Sequence, residues 1–323
     1  MLAEADRVSG AQTMSMATAS TNGRPAAPEH GPNDAFDERG FPNGPRVPWP
    51  AWTAPVALVA AFALALLGSA IADIPAALAG VRVNSSHLPG ALVIADTAIQ
   101  DIAFVAAAVI FAQFGAHRFR TYDLGLRPPR MGIRRAALLV VGTYLAFLAF
   151  SYVWALVLGI TEKEKILESL GTNEGTALLA GGAVLTCLIA PVCEEIIFRG
   201  FFFRALANWR GALPAALITG LVFGGVHAGS APVADLLPLG VLGFLLCMLY
   251  RATGSLYLTI SVHVLNNALA FGDLEGWSWW QVLGLPVLAL ALLYLIYRIL
   301  LGVGVLAREP ELPVPAGSGA LGP

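Results

Sequence analysis

ALLAGGAVLTCLIAPVCEEIIFRGFFFRAL, residues 177–206, is a long apolar run broken in its middle by Glu194, Glu195 and Arg199. A helix needs about 20 mainly apolar residues to cross the hydrocarbon of a bilayer, and this run exceeds that. A charged side chain at the centre of such a helix costs about 2.5–3.5 kcal/mol on insertion scales, so it usually faces an interior and has work there. Comparable apolar runs lie near 54–73, 91–114, 136–159, 212–228, 235–250, 255–271 and 281–302. Across the chain 57% of residues are hydrophobic and 12% charged, against about 25% charged in ordinary soluble domains. These runs predict an all-α fold, a polytopic transmembrane helical bundle of about eight spans. No internal repeat suggests a two-fold transporter architecture.

Residues 1–50 are rich in Pro, Gly and Ala and are expected to form a disordered N-terminal tail. Two transmembrane helices are expected over 51–114, a core over 115–302, and a disordered C-terminal tail over 303–323. No charged start leads straight into an apolar run, so no cleavable signal is expected. Glu162–Leu170 carries Ile166, Leu167 and Leu170 on one side, which fits a surface helix and an ordinary loop equally well. Arginines gather in the second-to-third connection (Arg118, Arg120, Arg127, Arg130, Arg134, Arg135), with Arg204, Arg210, Arg251, Arg298 and Arg308 on the same side. The positive-inside rule then predicts a multi-pass protein of the cell membrane with both termini cytoplasmic. A net charge of −2, without a basic tract carrying aromatics, argues against nucleic acid as a partner. Cys187, Cys193 and Cys247 all lie in apolar stretches and read as packing residues, with neither disulfide nor structural zinc spacing.

Glu195 and Arg199 stand four apart, acid first, the favourable order for a helical ion pair. Glu194 is turned about 100° away at 3.6 residues per turn and has no partner in its own helix. Phe223 and His227 share a face of the fifth span, GLVFGGVHAG. In the seventh, LYLTISVHVLNNALA, His263 shares a face with Asn267, and Asn266 lies close to it, so spacing leaves both asparagines open. The midpoint between Glu194 and His227 falls in the turn NWRGALP, which lets the two face each other at one depth of a helical hairpin. Gly220 and Gly224 form a small-xxx-small pair suited to close helix approach. Pro191, just before the acids, is expected to loosen the backbone.

Together CEEIIFRG, FGGVH and HVLNN resemble the Glu-Glu-xxx-Arg, Phe-xxx-His and His-xxx-Asn motifs of the CPBP group of intramembrane peptidases. This is the Abi, or type II CAAX prenyl endopeptidase, family, and the similarity extends over about residues 115–271. The resemblance implies an intramembrane endopeptidase in which Glu194 activates water with help from His227. His263 and Asn267 would stabilise the oxyanion, while Glu195, Arg199 and Phe223 support the site. It selects Asn267 over Asn266, and it implies a membrane-associated peptide or protein as substrate, met within the lipid bilayer. The same groups suffice without a cofactor. A divalent metal such as Zn²⁺ on Glu194, His227 and His263 is the mechanistic alternative. A non-catalytic membrane partner, or a proton-coupled transporter using the same polar cluster, is the alternative of another class.

Overall fold

The computed structural model describes residues 49–81, 89–114, 121–129, 131–159 and 175–304. The stretches expected to be disordered tails, apart from residues 49–50 and 303–304, and the segment around 162–170 lie outside the described residues.

The described residues are helical, with α1 (Thr53–Ala72), the short α2 (Ile74–Leu78), α3 (Gly90–Ala112) and α4 (Ile133–Leu158) forming the first part. One continuous run, Thr176–Arg210, follows as α5 (Thr176–Val184), α6 (Ala190–Glu195) and α7 (Phe203–Arg210), joined by two wider π-helical stretches, Leu185–Ile189 and Ile196–Phe202. The remainder is α8 (Ala212–Val226), α9 (Val233–Thr253), α10 (Leu256–Leu274) and α11 (Trp279–Gly302). The protein is thus an all-α, multi-pass bundle. Of the eight expected runs, six are both long and apolar enough to cross a membrane. The other two differ for physical reasons: α8 is only 15 residues long, and α10, though 19 residues long, interrupts its apolar surface with His263, Asn266 and Asn267.

The long Thr176–Arg210 run is the hub, contacting α1, α3, α8, α9, α10 and α11 through its various parts. Its aromatic cluster explains why. Phe198, Phe201, Phe202 and Phe203 are all buried, because the wide turn of Ile196–Phe202 directs nearly consecutive side chains inward. Phe198 meets Phe104 of α3 edge-on at 6.2 Å and Phe223 of α8 at 5.2 Å. Trp49 closes the start of α1 onto this hub: its indole donates to Ala112 O at 2.8 Å and its ring lies 5.0 Å from Phe201.

Residues 121–127 tie one end of the bundle together. The Arg127 Nε–H donates to Gly254 O at 2.8 Å, Tyr250 OH donates to Leu124 O at 3.0 Å, and Ser255 OH donates to Arg127 O at 2.6 Å. Gly125, at φ 89°, lies so close to the Tyr250 ring that no side chain would fit there.

The small-residue pair acts between α8 and α9. A Cβ on Gly220 would stand 2.6 Å from Gly240 O, and one on Gly224 would meet Leu236 O and, at 2.8 Å, Gly240 N. These are backbone atoms, which cannot swing aside. Gly224→Val is therefore expected to lower stability by about 1–3 kcal/mol or more through overpacking, read as a fall in the thermal midpoint in detergent. Gly225→Ala is the matched control, since a Cβ there meets nothing within 4 Å; it should change stability by no more than about 1 kcal/mol.

Candidate active site

Arg199 and Glu195 are both completely buried and form the expected i,i+4 pair, with Arg199 Nη1 donating to Glu195 Oε1 at 2.6 Å. Arg199 Nη2 donates to Gly243 O of α9 at 3.2 Å, and the guanidinium lies 4.3 Å from the centroid of the Phe223 ring. Phe223 thus caps the buried cation, a favourable cation–π contact in a dry setting.

His263 joins the two acids. Its Nδ1 lies 3.0 Å from Glu195 Oε1, and its Nε2 lies 3.7 Å from Glu194 Oε2. A carboxylate only accepts, so Nδ1 carries the hydrogen given to Glu195, and Nε2 is the nitrogen that faces Glu194, beyond hydrogen-bond distance. Glu194 remains 14% exposed at its side chain, while Glu195 is sealed. The pair of adjacent glutamates is therefore split as its spacing suggested: one is locked to Arg199, the other is left accessible.

His227 occupies the C-terminal cap of α8 and is half-buried. Its Nδ1 lies 2.7 Å from Phe223 O. A carbonyl can only accept, so Nδ1 carries the proton and Nε2 presents a lone pair. Phe223 stands between the two histidines, 4.9 Å from the His227 ring and 5.6 Å from the His263 ring. The described contact of Glu194 is thus with His263 on α10, and His227 adjoins the cluster through Phe223.

Asn267 is held by a backbone consequence of Pro191. The Ala190 N–H reaches back five residues, to Leu185 O, rather than to Thr186 O. The next N–H that a wide turn would offer Thr186 O belongs to residue 191, and proline has none. The exposed carbonyl accepts instead from Asn267 Nδ2 at 3.0 Å. Asn266 Nδ2 in turn donates to Asn267 Oδ1 at 3.3 Å. One hydrogen of the Asn267 amide is thereby used, and the second is a further donor. Wide turns of this kind occur often at functional sites.

Sequence reasoning overlooked Asp101. It is 2% exposed in α3, which packs on α6, the helix that carries Cys193, Glu194 and Glu195. The signal was present, since an acid within the apolar run 91–114 asks for the same explanation as Glu194.

Among the described residues, no three His, Cys, Asp or Glu groups stand close enough to hold one ion. His263 uses Nδ1 on Glu195 and His227 uses Nδ1 on Phe223 O, so each histidine keeps Nε2 for the site.

A helical membrane bundle with a buried Glu–His–Glu–Arg chain at its centre is thus the class that fold and site define. Residues 176–269, from the start of α5 into α10, match the family described as type II CAAX prenyl endopeptidase, Rce1-like. The resemblance to CPBP intramembrane peptidases therefore stands on this whole segment as well as on three short motifs. A relative from Bacillus subtilis (strain 168), named "Putative membrane peptidase YdiL", is 33% identical over 84 residues, covering 26% of this chain. The matched part spans 33% of that relative's length. No solved structure matches.

Proposed function

We propose that this protein is an intramembrane endopeptidase that hydrolyses a peptide bond of a membrane-associated peptide or protein, with no metal required. The observation that carries the reading is the buried chain Arg199–Glu195–His263–Glu194, which ends on the one accessible carboxylate. Glu194 takes a proton from water as the oxygen attacks the peptide carbonyl, and later returns it to the departing amine. His227 orients that water through Nε2. His263, steadied by Glu195, and the second amide hydrogen of Asn267 donate to the oxyanion. The loss of one such donor typically costs about 10²–10³-fold in rate. At 3.7 Å from Glu194, His263 Nε2 is near enough to serve the carboxylate or an oxyanion formed beside it.

Comparative membrane proteomics of the host carrying the wild type or His263→Ala tests this reading. Peptides cut within or beside a membrane segment are expected in the first strain and not in the second; identical peptide patterns would sink it. Once a substrate is found, cleavage should survive chelation. Activity lost to a chelator and restored by Zn²⁺ would overturn the metal-free mechanism.

Pro191→Ala supplies a separate expectation. A restored N–H at 191 competes for Thr186 O and releases Asn267. Helix stability should hold or rise while cleavage falls by up to about 10²-fold, the cost of misplacing a catalytic group by about 1 Å. Turnover compared with the thermal midpoint in detergent checks it.

A further inference from the structure

Two buried acids, Glu195 and Asp101, and the partly exposed Glu194 share this part of the bundle with two buried basic groups, Arg199 and His263. Arg199 and His263 Nδ1 both converge on Glu195 Oε1, and His263 Nε2 faces Glu194. Asp101 has neither kind of partner: among the described residues no hydrogen-bond donor reaches either of its buried carboxyl oxygens. The elements around α3 offer little else. α1 and α5 carry no titratable side chain, and the Thr176–Arg210 run contributes Cys187, Cys193, Glu194, Glu195 and Arg199 near this depth. On α3 itself the nearest is Asp96.

A carboxyl shut away from water with neither a hydrogen-bond donor nor a cation beside it keeps its proton, because burial disfavours the charged form. We propose that Asp101 is a neutral third acid of the site, holding its proton where α3 packs on α6, so that no second anion stands against the proposed base. It is a positioning residue acting through Glu194. A charged Asp101 would set a second anion against the proposed base with nothing to neutralise it. A neutral Asp101 needs no cation, which leaves Arg199 to Glu195.

Infrared difference spectroscopy on the purified full chain in lipid nanodiscs at neutral pH tests this directly. Wild type minus Asp101→Asn should show the carbonyl stretching band of a protonated carboxyl, lost in the variant. The same band should persist, shifted in frequency, in Glu194→Gln. Absence of a difference band in the first comparison, or complete loss of the band in Glu194→Gln, would overturn the proposal. Should Asp101→Asn fail to fold, an Asp96→Asn chain grown with carboxyl-¹³C-aspartate carries the test. The band then moves by the isotopic shift if aspartate bears the proton, and an unmoved band refutes it. The measurement needs no substrate, so it fails or succeeds independently of peptide hydrolysis.

Discussion

Glu194→Gln is expected to lower cleavage of the membrane substrate by about 10²–10⁴-fold, the usual range for losing a positioned general base, with the fold intact. Glutamine matches glutamate in size, so the packing of α6 against α3 and α10 is preserved. It cannot take a proton from water, and it cannot balance a charge on His263 Nε2, 3.7 Å away. Stability should change little, because glutamine fills the same space and Glu194 Oε2 gives up no hydrogen bond. Turnover of an identified substrate, with thermal denaturation of the same preparation, measures both. A Glu194→Gln protein cleaving at the wild-type rate would exclude Glu194 as the base. It would favour a reading in which the polar cluster only binds peptide or passes protons.

Arg199→Met is expected to have the largest effect on folding, about 3–5 kcal/mol, because it strands a buried carboxylate. Glu195 and Arg199 are both fully buried and 2.6 Å apart, so water cannot replace the lost partner. The Nδ1–H of His263 remains on Glu195, which softens the loss and draws the imidazole away from Glu194. Adding Glu195→Gln to Arg199→Met removes the stranded charge and should recover most of the stability, since breaking a buried pair costs far more than deleting it whole. It should not restore activity, because His263 then has no anion to orient it. Thermal midpoints of the single variants and the double variant, read as a double-mutant cycle, check the coupling. Additive losses would show that the pair is not a unit.

The loss in Arg199→Met arises from a pair visible in the chain itself. Glu195 and Arg199 are linked by helical geometry alone, four residues apart with the acid first, and no tertiary contact is needed to foresee their bond. The membrane-crossing segments were equally legible, because hydrocarbon thickness demands long apolar runs whatever their neighbours do. α10 is the instructive exception, a helix whose polar residues lower its hydropathy because they belong to the site. The roles of Gly220 and Gly224 were visible as a capacity for close approach, but their partner was not; packing chose α9.

Helical periodicity alone determined which side chains of the site share a face: Glu195 with Arg199, Phe223 with His227, and His263 with Asn267 or its neighbour Asn266. Only the tertiary structure decided which faces meet. It set His263 rather than His227 against Glu194, packed α3 with its buried Asp101 on α6, and used the wide turn at Pro191 to give Asn267 a carbonyl. The physical reason is that spacing fixes angles about one helix axis, whereas contact between helices depends on their relative rotation and depth. Those are set by the summed packing of Phe198, Phe223 and the α8–α9 glycines, and no local pattern encodes that sum.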